Sequence, residues 1–296
     1  MNTSLLRSSV LGAGLLLVGL VSASGQPGTG GGVEFSARHS WSASSGLDGG
    51  AAGAEVGVSA WTLGGRGSTR LGDDTSLLYG VEWQRHELDL AGEAWLPETL
   101  EAWSLPLGVR HRFDERWQLL ATVSPRLAGE GGGAGRGFDA PVLALATYAA
   151  SPELAWSFGL RYGARSEIEL LPIAGVRWRF APAWELAVAW PESGVSFRAG
   201  ERLTLRAVVT VVGGDFRVDE DPRPVAQRAG GTLAGDWLEY RDVRGGLAAD
   251  IDLGGGLALR AEVGKAISQR FEYADRGLEL EAGNPLHCSL ALRGRF

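Results

Sequence analysis

The eleven residues from Leu286 to Phe296 alternate with a period of two: Leu286, Cys288, Leu290, Leu292 and Phe296 fall on one face, His287, Ser289, Arg293 and Arg295 on the other. That is the pattern of a half-buried β-strand. The same division recurs along the chain. Leu154, Trp156, Phe158, Leu160 and Tyr162 oppose Ser157, Arg161 and Arg165. Leu203, Leu205, Val209 and Val211 oppose Arg202, Thr204 and Arg206, and Leu257, Leu259 and Val263 oppose Arg260 and Glu262. Further alternating runs span Val33 to Trp41, Ala54 to Leu63, Leu77 to Gln84, Leu105 to Phe113, Val142 to Tyr148, Trp184 to Trp190 and Leu247 to Ile251. A chain written this way builds sheet, with every strand presenting one apolar face that must be covered.

An internal repeat gives the turn chemistry. The run from Val109 to Leu119 recurs as Val176 to Leu186, an offset of 176 − 109 = 67 residues. Each copy reads as a strand, a three-residue turn (Asp114 to Arg116, Ala181 to Ala183) and a returning strand, with aromatics on both sides: Phe113 with Trp117, Phe180 with Trp184. Such rings suit a membrane interface, where the body is apolar and the edge stays wet. Trp178 and Trp190 join this set of interface aromatics.

Residues 1–23 read as a secretory signal peptide: Arg7, the apolar run Val10 to Val21, then the small-residue site Val21-Ser22-Ala23. A Gly-rich leader, 24–32, follows, and the apolar run is shorter than the roughly 18 to 20 residues of a spanning helix. No other segment approaches that length. A bilayer-spanning structure must therefore be a closed barrel, in which strands satisfy one another's backbone groups. Composition fits: 45 Gly, 11 Trp and 45% hydrophobic residues, with a mean hydropathy of −0.01. The lone Cys288 permits no intramolecular disulfide, and the net charge of −7 argues against nucleic acid as a partner. The expected fold is all-β, a single antiparallel transmembrane barrel over residues 33–296 with about twelve strands, within a range of about ten to fourteen. The turns at Asp114 to Arg116 and Ala181 to Ala183 would be periplasmic. Gly129 to Asp139 and Asp215 to Asp236 would be extracellular loops, and Pro97 to Trp103 could form a short helical turn. The competing fold is a soluble β-sandwich with a solvated charged face.

The segment from Leu105 to Pro125, and the one from Leu171-Pro172-Ile173-Ala174-Gly175 through Trp190-Pro191, resemble an uncharacterised family of bacterial outer-membrane β-barrel proteins, a domain of unknown function. The terminal strand ending on Phe296 resembles the assembly signal of such barrels. The resemblance implies the barrel fold, an outer-membrane location, lipid contacts and insertion by the barrel assembly machinery. It brings no catalytic residues.

In a barrel of this kind the charged faces line the interior, because an arginine toward lipid at mid-depth costs about 2 to 4 kcal/mol. The expected lumen residues are Glu82, Arg110, Arg112, Arg161, Arg177, Arg179, Glu185, Arg206, Arg260 and Glu262, with Arg179 opposite Glu185. Arg270 and Glu272, flanking Phe271, would also pair in the lumen. Chemical motifs are scarce. His39, His86, His111 and His287 are the only histidines, and none has a serine and a carboxylate placed for a nucleophilic triad. The glycine run Gly131 to Gly137 lacks the Lys-Ser/Thr ending of a phosphate cradle. Asp215, Asp219, Glu220 and Asp221 crowd one loop, with no spacing of a dedicated cation site. Neither catalytic residues nor a cofactor or metal site is therefore expected. The leading function class is a non-enzymatic barrel, structural or a narrow passive channel. The alternatives are an outer-membrane enzyme acting on lipid and a soluble periplasmic β-protein binding a small ligand.

Overall fold

The structure, a computed structural model, describes residues 32–50, 53–131, 137–165, 169–228 and 231–296. The expected signal peptide, and all of the leader but Gly32, lie outside the described residues. The strand segments are β1 (Val33–Asp48), β2 (Glu55–Arg70), β3 (Thr75–Ala91), β4 (Thr99–Ser104), β5 (Leu107–Arg112), β6 (Trp117–Val123), β7 (Arg126–Glu130), β8 (Gly137–Asp139) and β9 (Val142–Ser151). They continue as β10 (Leu154–Tyr162), β11 (Leu170–Ala181), β12 (Trp184–Val188), β13 (Glu192–Arg198), β14 (Leu203–Arg217), β15 (Trp237–Gly254), β16 (Leu257–Tyr273), β17 (Leu278–Ala282) and β18 (Leu286–Arg295). There is no α-helix among the described residues.

Four prolines explain why there are more segments than strands. Pro106, Pro125, Pro141 and Pro285 stand between β4 and β5, β6 and β7, β8 and β9, and β17 and β18. Proline has no N–H for the ladder, so each strand breaks there into two halves. Each proline carbonyl still accepts a bond from the adjacent strand: Gly80, Leu105, Ser124 and Ala266 donate at 2.9 Å. Eighteen segments less four such joins make fourteen antiparallel strands, and β1 pairs with both β2 and β18 to close the barrel. The count exceeds the expected dozen in part because β13 offers only Val195 and Phe197 to the apolar alternation and reads as loop. Thr99 to Ser104, expected as part of a helical turn, is strand β4. The second repeat turns in two residues rather than three, since Ala181 already pairs with Trp184.

Residues paired across a ladder share a face. One face can be followed around the wall through Ser40↔Ala60, Gly64↔Glu82, Ser76↔Arg110, Leu120↔Leu145, Arg161↔Leu171, Arg177↔Ala187, Ser196↔Arg206, Ala248↔Glu262 and Ser289↔Ser40. This inward face is mostly polar or small, with a buried leucine patch of Leu120, Leu143, Leu145 and Leu171. The outward one carries Trp41, Trp61, Trp103, Trp156, Phe158 and Leu290, all exposed.

At the end away from the termini the wall changes. β12 and β13 have only 5 and 7 residues, so their hairpin turns back at Ala189 to Pro191, far below the rim. β14 pairs with β13 only as far as Thr210. It then bends at Gly213, where φ is +141° and a Cβ would collide with the Tyr240 carbonyl oxygen, so only glycine fits. Beyond the bend β14 crosses the barrel to β7 and forms a parallel bridge, Arg217↔Gly129. The result is a second, smaller closed wall of nine strands: β1, β2, β3, β4, β7, β14, β15, β16 and β17. Inside this ring the apolar pattern inverts. On β15, Leu247 points outward, whereas Leu238 and Tyr240 point inward and are buried against Leu100, Phe216, Phe271 and Leu280. Arg270 and Glu272, expected in the lumen, lie on the ring's outer face, where Arg270 pairs with Glu279 at 2.7 Å, because Phe271 takes the inward position.

Candidate functional site: the barrel interior

Below the ring the inward face is a network of charge. Arg206 donates to Asp250 at 2.5 Å, and Arg260 bonds Glu192 at 2.9 Å and Glu262 at 3.0 Å. His287 Nε2 lies 3.2 Å from Glu262. Glu192 is on β13 and Arg260 on β16, so this pair reaches across the curve of the wall. Arg66 sits 3.8 Å from Glu82, which also accepts from Gln84 at 2.6 Å, and Arg179 lies 3.8 Å from Glu185. Among the described residues Arg38, Arg110, Arg177 and Arg293 have no ion pair. Of the residues singled out from sequence, Glu82, Arg161 and Arg260 are buried. Arg110, Arg177, Arg179, Glu185, Arg206 and Glu262 are half-buried, and Arg112 is exposed, pairing with Asp74 at 3.2 Å.

Arg161 belongs to a separate cluster. The outer face of upper β14 and β15 looks toward the inner face of β7, β8 and β10. Between them, Arg126 donates to the Asp215 carbonyl at 2.9 Å and to its carboxylate at 3.0 Å, and lies 3.6 Å from Asp139. Arg241 bonds Glu239 at 2.5 Å, and the buried Arg161 interacts with Asp215, Arg126, Asp139 and Glu239. Three arginines thus face three carboxylates, a balanced set that makes their burial tolerable. Above them the Arg165 guanidinium stacks on Trp237 at 5.3 Å. No sequence pattern announced this chamber, since its members come from five strands.

The far end of the ring is covered by residues 218–228 and 231–236. Val218 and Leu233 are buried in the apolar core. Trp95, at φ +57°, donates its indole N–H to Gln227 at 2.8 Å, and Gln227 donates to Glu93. A cleft of about 590 Å³ opens beside Trp95, Glu98, Glu130 and Asp221. In the acidic stretch, Asp215 is not in the loop: it is a fully buried residue of β14. Asp221 accepts from the Arg223 guanidinium at 2.9 Å and from the Leu233 N–H at 3.0 Å. These bonds, the arginine's above all, hold its carboxyl well below the usual carboxylate range. The described residues contain no group of carboxylates, histidines and cysteine arranged to hold a metal.

Phe113, Trp117, Trp178, Phe180 and Trp184 are exposed on the outer face near the turns that Asp114 and Pro182 head. Asp114 builds the first turn by accepting the N–H groups of Arg116 and Trp117, both at 2.7 Å. Phe180 and Trp184 stack at 6.3 Å, and Trp117 meets Tyr148 at 4.8 Å. Trp190 lies apart from them, half-buried at the β12–β13 turn, with an indole N–H that has no hydrogen-bond partner. Phe296 is exposed and stacks on Phe35 at 5.7 Å. His39 meets Ser59 at 3.1 Å under Trp61 on the outer face.

No family model matches the chain, and no curated protein matches it in sequence. Among solved structures it is similar to an outer-membrane channel from Pseudomonas putida F1, with a TM-score of 0.51 at 13% identity over 90% of this chain and 95% of that one. It is also similar to a FadL homologue from Pseudomonas aeruginosa (TM-score 0.47, 10% identity, 90% of each chain) and to the P. putida toluene transporter TodX (0.45, 9%, 91% of each). This chain has the fold of outer-membrane β-barrel proteins. At these identities the likeness is one of fold.

Proposed function

We propose that the protein is an outer-membrane β-barrel channel, non-enzymatic, with an aqueous lumen lined by arginine and glutamate that opens at the end holding the termini. One observation carries the reading: an apolar, aromatic-rich outward face runs around a closed wall of fourteen strands, while arginine and carboxylate side chains gather on the inward face of most of them. A soluble protein has no use for so many exposed Trp, Phe and Leu side chains on one surface. On this reading the aromatics near the Asp114 and Pro182 turns mark the periplasmic interface, lipids cover the outer belt, and the barrel assembly machinery inserts the chain through β18 and Phe296. Membership of the uncharacterised barrel family resembled by Leu105 to Pro125 is part of the same proposal.

Among the described residues Arg110, Arg177 and Arg293 have no ion pair, which leaves the lumen electropositive although the chain is acidic overall. It therefore favours anions. Purified protein should show a heat-dependent gel shift, and in planar bilayers a reversal potential on the anion-selective side that Arg110→Glu and Arg177→Glu together reduce. A protein that fractionates with soluble periplasmic material and shows no such shift would overturn the reading.

A further inference from the structure

Above the β12–β13 turn two strands lose their neighbours. On β11, Val176 is the last residue toward the far end that pairs with β12, which leaves Leu170 to Gly175 without a ladder partner on that side among the described residues. On β14, Val211 donates to the Pro191 carbonyl at 2.9 Å, and no strand pairs on that side from there to the Arg217 bridge. Sequence enforces the break. Pro172 pairs with Leu160 of β10, and since it has no N–H this must be a pair that does not exchange backbone bonds with β10. Its nitrogen then points toward the missing β12, and a strand added there would lack a donor.

We propose that this gap is a lateral portal through which small apolar molecules pass between the lumen and the outer leaflet; the inference rests on the channel reading. The six unpaired residues of β11 rise about 20 Å along the strand, hence roughly 15 Å along a barrel axis tilted by about 40°. Phe180 marks the termini-side interface and Leu170 lies ten residues beyond it, so the gap occupies the half of the bilayer farther from the termini. The axial exit is closed instead, because Leu100, Phe216, Leu233 and Phe271 pack the ring without exposure. Unpaired backbone at membrane depth is tolerated where it borders a water-filled cavity, so lumen water must reach these edges. The frame is apolar outside, with Leu170, Pro172, Ala174 and Val209. Inside it are the indole N–H of Trp190 and the buried hydroxyl of Thr210, neither with a hydrogen-bond partner. A polar solute leaving by this route would enter hydrocarbon unsolvated; an apolar one, carrying at most a single polar group, would not.

The test uses full-length protein with Cys288→Ser, reconstituted in vesicles containing lipids with a nitroxide on the acyl chain. A fluorophore on Ile173→Cys, inward at the gap, should be quenched severalfold more than one on Ser157→Cys, inward on β10, whose two neighbours are intact. Bridging Ala174→Cys to Val211→Cys with bismaleimides of graded length should leave ion conductance in place and abolish transfer of N-phenyl-1-naphthylamine from the bilayer into the lumen. Equal shielding of both fluorophores in a protein that still conducts would overturn the portal and leave the channel standing. So would cross-links joining two copies through these edges. Loss of conductance in the unbridged protein would instead strike at the channel reading.

Discussion

Arg126 holds the crossing strand against β7, and replacing it by alanine should open the ring without unfolding the barrel. Its guanidinium is buried, bonds the Asp215 carbonyl and carboxylate at 2.9 and 3.0 Å, and neighbours Asp139 at 3.6 Å. Removing one member of a buried pair leaves an uncompensated charge, at a cost of about 3 to 5 kcal/mol. The Arg217↔Gly129 bridge, the Glu130 carboxylate on the N–H groups of Asp219 and Glu220, the packing of Phe216 and Val218, and Arg161 facing Asp215 then remain to hold the strand in place. At about 1.4 kcal/mol per tenfold, opening becomes roughly two to three and a half orders of magnitude more frequent. Hydrogen exchange should record this as faster exchange at amides 214–217, with Leu205 to Val209 in the same strand unchanged. Arg126→Met combined with Asp215→Leu should restore much of the protection, since an apolar replacement leaves no orphaned charge. Uniform acceleration along β14, or none, would refute the idea that the ring closes independently of the wall below it.

Other outcomes follow from single contacts. Asp221 has a depressed pKa, so its contribution is present above the ordinary carboxylate value near 4 and is lost only as pH falls through the lower folded value. Wild-type protein should therefore keep residues 218–228 and 231–236 protected from hydrogen exchange down to about pH 4, while Asp221→Asn exposes Arg223 and Arg228 to trypsin already at neutral pH. Arg179 and Glu185 are each about a third exposed, so Arg179→Glu with Glu185→Arg should show a coupling energy below about 1 kcal/mol in denaturant unfolding; a larger value would mean that the lumen is drier than this exposure implies. Deleting Phe296, which stacks on Phe35, should lower outer-membrane levels far more than deleting Gly72 in a turn, as read by immunoblot of membrane fractions.

The lower barrel was legible because its rule is simple: apolar out, charged in, turn, repeat. Arg177, Trp178 and Arg179 carry that rule in three consecutive residues. The ring was not legible because it obeys the opposite rule in the same strands. Along β15 the apolar positions change from even numbers, Leu238 and Tyr240, to odd ones, Leu247 and Ala249. Along β16 an extra residue at Ile267 shifts the pairing between Val243 and Arg244. Arg270 and Glu272 therefore lie on the face opposite to the one that simple alternation gives them. The ion cluster escaped for another reason: Arg126, Asp139, Arg161, Asp215 and Glu239 are scattered over more than a hundred residues and meet only because β14 leaves the wall.

The ring also constrains the order in which the molecule is made. Strands can join a growing wall one hairpin at a time, because each pairs with its neighbour in sequence. Arg217 and Gly129 are 217 − 129 = 88 residues apart, and their bridge must wait for every strand between them. Closures over such separations are slow. The hairpins between β7 and β14 are thus completed first, and for an interval Phe216 and Leu233 stand uncovered at the far end. Pulse proteolysis during refolding should find that interval as a transient cut near Arg217, one that Arg126→Ala lengthens.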